Sequence, residues 1–291
     1  MGATMRTTNL ILVGVLATAT SMADVDRPAP SQQKQKNFVA CPIVLDTKDV
    51  PCWVAEYDGE RYFLTVQTGR SNDVVFAPSL MHKVLVEGTV TDAPRMCGGI
   101  VLTDVKLSVM EAEISPECDK ILPGDGYHVT GPRPITPDGD PPGGKSTAVR
   151  RAPNPERSNA AIEARLKKMA AEQQRAEFTI PYYFDSNYLP FPAEQATVDR
   201  AADYAALAKA QRVEVVGYRG SVVLSDGSVM TEKEGLAELR AKSVAAILQD
   251  FGVPNAALAV SWNEKPEHSN GVRDYDKRRV TIAVIPVNKD R

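Results

Sequence analysis

Residues 213–244 read VEVVGYRGSVVLSDGSVMTEKEGLAELRAKSV, and this stretch decides the fold of the C-terminal part. Val213–Gly217 reads as a strand and Ser221–Ser228 as a loop, after which the pattern turns helical. Thr231-Glu232-Lys233-Glu234 fits a capping box, and Leu236, Leu239, Val244, Ile247 and Leu248 fall on one stripe. Gly252 and Pro254 stop the helix. Working outward, Phe178–Tyr188 reads as an earlier strand and its exit, and Pro192 opens an Ala-rich helix through Ala210. Ala257–Trp262 and Arg279–Pro286 read as later strands. The order is β-α-β-α-β-β, an α+β domain with helices on one face of a mixed sheet.

The strand end Gly217-Tyr218, the helix segment Leu236-Ala237-Glu238-Leu239-Arg240-Ala241 and the late Arg278-Arg279-Val280 strand resemble the OmpA-like, peptidoglycan-associating domain. The resemblance covers roughly Phe178–Val287. In that family the strand ends in Gly-His/Tyr-Thr-Asp and the helix carries Leu-Ser-x-x-Arg-Ala. The Asp and the Arg bind the diaminopimelate side chain of the cell-wall peptide. The resemblance therefore implies a ligand site at Arg240, Tyr218, Arg219 and Gly220. A guanidinium clamps a carboxylate with two parallel N–H···O bonds, and a carboxylate takes the ammonium. Arg240 matches the clamp, but Gly220 stands where the acid is expected and Arg219 would repel the ammonium. The missing acceptor should cost on the order of 1.5–3 kcal/mol.

Two registers place the mismatch. Either Arg219-Gly220 replace Thr-Asp and Ser221–Ser228 is inserted, or Ser225-Asp226-Gly227 takes the turn's place. The first follows better from the Gly217-Tyr218 match. Read without the resemblance, Arg240 is a solvated helix-surface residue, or one pairing with Glu234 or Asp226.

The N-terminal half differs in kind. Met1–Ala23 carries Arg6, an apolar run from Leu10 to Leu16 and Ser21-Met22-Ala23, which reads as a secretory signal. The run is about half the ~20 apolar residues a spanning helix needs. No other segment reads as spanning a bilayer, and no Cys follows the cleavage site to carry a lipid. Cys41, Cys52, Cys97 and Cys118 in an exported chain read as two disulfides. Three connectivities are open; Cys41–Cys52 with Cys97–Cys118 is preferred, because Cys41 and Cys52 bracket a hairpin turning at Thr47-Lys48-Asp49. The Cys spacings are wide and His82, His128 and His268 are scattered, which argues against a metal site.

Residues 38–122 are strand-rich, with Trp53–Tyr57, Arg61–Val66, Lys83–Val90 and Lys106–Met110 punctuated by Asp58-Gly59, Ser71-Asn72-Asp73 and Gly98-Gly99. About five short strands in ~80 residues, with Gly88 inside a Val-rich strand, suggest a small OB-like β-barrel. A transmembrane barrel does not fit the length. Residues 123–155 are Pro/Gly-rich and read as a linker, 156–177 as a helix, and 178–291 as the OmpA-like domain. Inside the linker, Gly139-Asp140-Pro141-Pro142-Gly143-Gly144-Lys145-Ser146 satisfies the phosphate-loop pattern. It lacks the preceding strand and following helix, and two prolines remove N–H donors, so nucleotide binding is not expected.

Net charge is -3, which argues against a nucleic-acid partner. No His sits where it would activate Ser221, Ser225 or Ser228, and Asp274 and Asp276 fall in a polar loop that reads as solvated. The expectation is an exported, non-catalytic cell-envelope protein without cofactors. It is placed in the periplasm, peripheral to the outer membrane, with peptidoglycan bound weakly and an envelope protein as a further partner. The alternatives are a protein-interaction scaffold with a defunct pocket, or an envelope enzyme acting on the wall.

Overall fold

The computed structural model describes residues 35–66, 78–127, 159–189 and 193–287. The signal segment 1–23, Ser71-Asn72-Asp73, nearly all of the linker with its phosphate-loop pattern, Pro155 and Pro192 lie outside the described residues.

The N-terminal half holds β1 (Gln35–Ala40), β2 (Pro42–Asp46), β3 (Cys52–Tyr57), β4 (Glu60–Val66), β5 (Val84–Val90), β6 (Ile100–Val109) and β7 (Ile121–Pro123). They form one sheet in the order β1-β5-β6-β4-β3-β2-β7. β1 and β2 are consecutive runs broken at Cys41, so one stretch of chain borders β5 with its first half and β3 with its second. Asp58 (φ 51°) and Gly59 (φ 74°) turn the β3–β4 hairpin, as two residues with positive φ do between twisted strands. At Gly88 the β5–β6 register shifts, and a Cβ there would meet Leu102 at 3.1 Å. The bulge lets the sheet coil tightly. Phe38, Trp53, Ala55, Tyr62, Val84, Val86 and Leu107 form one buried apolar cluster of this sheet.

The disulfides correct the preferred pairing: they are Cys41–Cys118 and Cys52–Cys97, with Cα–Cα distances of 4.8 and 6.5 Å. The reason is strand register. Cys52 lies opposite Leu45, four positions along β2 from Cys41. That is about 13 Å of strand, twice what a disulfide spans. Cys41 at the strand break instead meets the short turn Pro116–Cys118.

The C-terminal half holds α1 (Asn159–Ala171), β8 (Ala176–Pro181), α2 (Ala193–Leu207), β9 (Ala210–Tyr218), β10 (Ser221–Val223), β11 (Val229–Thr231), α3 (Leu236–Asp250), β12 (Leu258–Asn263) and β13 (Arg279–Pro286). The main sheet runs β12-β9-β13-β8, with β12 parallel to β9 and β13 antiparallel to both β9 and β8. Val213, Val215, Val280, Ile282 and Ile180 from the sheet pack on Val198, Tyr204, Ala241, Val244 and Leu248 from α2 and α3. Gly217 is where the first turn of α3 touches β9. A Cβ there would stand 2.0 Å from the Ala237 carbonyl oxygen.

Three expectations change here. The presumed loop Ser221–Ser228 is largely the hairpin β10–β11, closed by the Leu224 N–H to the Ser228 carbonyl. Helix α3 starts at Leu236, not in a capping box: Thr231 ends β11, and Gly235 (φ 83°) occupies the cap position. The Glu264 carboxylate caps the helix by accepting from the Gly235 and Glu238 N–H groups, both at 3.2 Å. Leu239, placed on the buried stripe by spacing, is half exposed.

The two halves share a seam. Leu85 and Val39 pack against Phe184, Val222, Leu224 and Met230. Asn37 and Ser225 exchange bonds: Ser225 N–H to the Asn37 carbonyl at 2.7 Å, Asn37 N–H to Ser225 Oγ at 3.0 Å. Asn37 Nδ2 also donates to the Val223 and Gly271 carbonyls, and the Phe184 N–H donates to Ser108 Oγ.

Peptide mapping without reduction should join the Cys41 peptide to that of Cys118, and Cys52 to Cys97. Bridges closing 77 and 45 residues of separation each stabilise by about 4 kcal/mol in the chain-entropy account. A Cys41–Cys52 cross-link would overturn this register.

Candidate functional site

The end of β9, the loop after β8, the exit of β11 and the first turns of α3 converge on Arg240. Its side chain and that of Glu232 are both 0 % exposed. The guanidinium donates from Nη1 to Glu232 Oε2 at 2.9 Å and from Nη2 to Glu232 Oε1 at 2.6 Å, the bidentate arrangement. Nε and Nη2 reach the Ser186 carbonyl at 2.9 and 2.7 Å, and Nη1 the Tyr218 carbonyl at 3.1 Å. Nη2 also lies 3.2 Å from the Tyr183 carbonyl, and the guanidinium sits over the Tyr182 ring at 4.7 Å. Every N–H of the group is engaged within the chain.

Glu232 is held as completely. Besides the two Arg240 bonds, Oε1 accepts from the Asp185 N–H at 3.0 Å and Oε2 from the Gly220 N–H at 2.7 Å. Each carboxylate oxygen thus receives two donors, one from the guanidinium and one from the backbone. Asp185 can turn its N–H inward because it takes a left-handed conformation (φ 56°), which aspartate tolerates better than most residues. The arrangement is a receptor for a carboxylate, filled by a residue eight positions before Arg240 in the chain.

Three of the four residues expected at the site, Tyr218, Gly220 and Arg240, are brought together around Glu232. Tyr218 gives its carbonyl to Arg240, and its ring lies under Arg279 at 4.4 Å. Gly220 gives its N–H to Glu232. Arg219 points elsewhere: Nη1 donates to the Glu232 carbonyl at 2.7 Å, and Nε donates to the Glu264 carbonyl. It pins the hairpin exit to the end of β12. The pairing of Arg240 with Glu234 or Asp226 is replaced by Glu232; Asp226 sits at the hairpin tip, bonded to Ser228. The remaining serines are also spoken for, Ser221 with Ser269 and Ser225 with Asn37.

A second buried pair adjoins the first. Arg278 and Glu87, 0 % and 1 % exposed, join across the seam through both guanidinium ends. Burial pushes the Glu87 carboxyl up, and the Arg278 guanidinium pulls the other way. Gly220 makes room for this: a Cβ there would lie 2.7 Å from Arg278 Cγ. Asp274 is buried too, contrary to the solvated reading. It accepts from the Val223, Asn270 and Gly271 N–H groups and from Lys277. Beside Arg240's carbonyl partners lies a cavity of about 120 Å³, walled by Met110 and Glu111 on one side and Tyr183, Asp185, Ser186 and Lys233 on the other. Among the described residues, no cluster of His, Cys, Asp and Glu is placed to hold a metal ion, and no helix is long and apolar enough to cross a membrane.

Sequence reasoning missed Glu232, Glu87 and Arg278 as site groups. Glu232 was claimed by a capping pattern. Glu87 carried a signal, an acid directly after the apolar run Val84-Leu85-Val86 within one strand.

The C-terminal half is thus an α+β unit with a glycine of β9 under α3 and Arg240 of α3 buried against the end of β9. Residues 182–279 match the model of the OmpA family, and over that span the chain carries an OmpA-family domain. The chain is also similar to solved structures, each over about two-fifths of its length. The peptidoglycan-associated lipoprotein from Burkholderia pseudomallei has 18% identity and a TM-score of 0.30, covering 37% of this chain and 88% of that one. The cell wall anchor of the T6SS from Pseudomonas aeruginosa has 19% identity and a TM-score of 0.32, covering 43% and 96%. The periplasmic domain of Helicobacter pylori MotB has 21% identity and a TM-score of 0.31, covering 40% and 80%. No curated protein matches the chain.

Replacing Arg240 by Ala strands the Glu232 charge in the interior and should cost about 3–5 kcal/mol in urea unfolding. Adding Glu232→Ala to it should recover part of that loss, because the orphaned charge goes with it. A loss under about 1 kcal/mol for Arg240→Ala would contradict the buried pairing.

Proposed function

We propose that this is an exported, non-catalytic cell-envelope protein whose OmpA-family domain meets the wall peptide at the Arg240 seat, and meets it weakly. The observation that carries this reading is the four-donor receptor closed on Glu232. Its geometry suits the carboxylate of a diaminopimelate side chain. The carboxylate already there belongs to the protein, and the acid that would take the ligand's ammonium is absent at Gly220. A ligand must displace a tethered competitor and leave its own ammonium unmatched, and both lower affinity. Met1–Ala23 supports export to the periplasm, in keeping with the paired cysteines. Peripheral association with the outer membrane and an envelope protein partner belong to the same reading.

The same reading divides the chain into a disulfide-bonded unit at 38–122, a linker at 123–155, a helix at 156–177 and the OmpA-like domain from 178, and the cysteine pairs within the first unit support its separateness. The OB-like reading of the first unit is supported by one strand run bordering both β3 and β5 and by the parallel β4–β6 contact. It carries no function of its own.

Cosedimentation with insoluble sacculi tests the proposal. The parent should be retained weakly and released by free meso-diaminopimelate. Glu232→Gln should be retained about tenfold better, since an amide turns N–H toward the guanidinium and loses a charge-assisted bond of ~1.5–3 kcal/mol. If neither protein sediments with sacculi, the domain is a scaffold and the seat is not used for the wall.

A further inference from the structure

We infer that the seam between the two halves is a lock on the Arg240 seat: Glu232 leaves, and a carboxylate ligand enters, when the N-terminal sheet lifts from the hairpin β10–β11. This rests on the reading of the seat as a place for the wall peptide's carboxylate.

Glu232 follows directly on β11, so its position is the hairpin's position. The hairpin has little freedom of its own. Val222, Leu224 and Met230 are packed against Leu85, Val39 and Phe184, and Ser225 is bonded on two atoms to Asn37. Every one of those N-terminal contacts must loosen for β11 to swing.

The second link is Gly220. Its N–H holds Glu232 Oε2, while its Cα face carries the Arg278 side chain on its way to Glu87. A side chain at position 220 would crowd Arg278 Cγ, so an acid there conflicts with Arg278 crossing to Glu87. The departure from the family pattern at Gly220 is therefore what the interdomain ion pair requires. One residue touches both the seat and the lock.

The third link is the approach to the seat. The cavity beside Ser186 and Tyr183, whose carbonyls Arg240 holds, has Met110 and Glu111 for its other wall, so an approach to the buried Arg240 from this side runs along the seam. Opening the seam widens the path and releases the hairpin in one movement. In the closed state the fraction of molecules competent to bind is small, and the apparent affinity falls by that fraction.

The test uses the full mature protein and meso-diaminopimelate as the probe, titrated calorimetrically. Glu87→Gln and Val222→Asp weaken the seam without touching the seat, and each should tighten binding about tenfold over the parent. Glu232→Gln serves as the seat control. If Glu232→Gln binds more tightly while both seam variants match the parent, the lock is wrong and the seat reading stands. If no variant binds, Glu232→Gln included, the seat reading fails and the lock fails with it. Should a seam variant fail to fold by circular dichroism, hydrogen exchange on the unmutated protein decides. Coupling is reciprocal, so saturating probe should speed exchange at the Ser225 and Asn37 amides. Unchanged exchange there at saturation overturns the proposal.

Discussion

A guanidinium with no exposure must find an acceptor for each of its five N–H groups, and Arg240 sets this condition for the C-terminal half. Desolvating the charge costs several kcal/mol, which only close to ideal pairing repays. The acceptors come from the loop at Tyr183 and Ser186, the strand end at Tyr218 and the carboxylate of Glu232. One cation therefore fixes where three segments meet the helix that carries it. Gly217 lets that helix lie close enough to the sheet for the arrangement to close. Removing the arginine would not open a ligand pocket; it would dissolve the corner that defines one.

A second guanidinium is as fully buried: Arg278 finds its carboxylate in the other half of the molecule through its two terminal nitrogens, while its Nε has no partner among the described residues. A buried pair of this kind contributes less to net stability than to specifying one geometry, since either partner alone would be a stranded charge. The pair forbids the two halves from docking in any orientation that separates Glu87 from Arg278. Asn37 adds directional bonds to Val223, Ser225 and Gly271, and Leu85 and Phe184 supply the apolar contact. The hairpin β10–β11 is the element onto which this docking is built.

What the sequence showed followed from local rules. Val213–Gly217, the Ala-rich helix and the Arg279–Pro286 strand were legible because period and turn chemistry act over a few residues. Arg240 was legible through its place in the helix motif. What stayed hidden depends on partners far away in the chain. Glu232 satisfied a local capping pattern, and only the tertiary structure shows that Glu264 caps the helix while Glu232 turns to Arg240. Cys41 and Cys52 looked like a hairpin pair, and the register that separates them is a property of β2 and β3 together. Asp274 looked solvated because its four donors come from β10, from its own loop and from Lys277.

The missing acid at Gly220 looks, in the sequence, like decay of a binding site. In the structure it is the condition for Arg278 to cross and reach Glu87. The seat itself has not decayed, since two backbone N–H groups and a guanidinium still converge on a carboxylate with all four bonds made. Exchanging Glu232 for a ligand carboxylate leaves the charge facing Arg240 unchanged, so the guanidinium itself does not decide between them. What favours Glu232 is its tether, which gives it an effective concentration in the millimolar range or above. A tether favours its occupant only while the hairpin is held in place. On the proposed reading, the affinity of the seat for an outside carboxylate is therefore set less by Arg240 than by how firmly Leu85, Asn37 and Glu87 hold β10–β11.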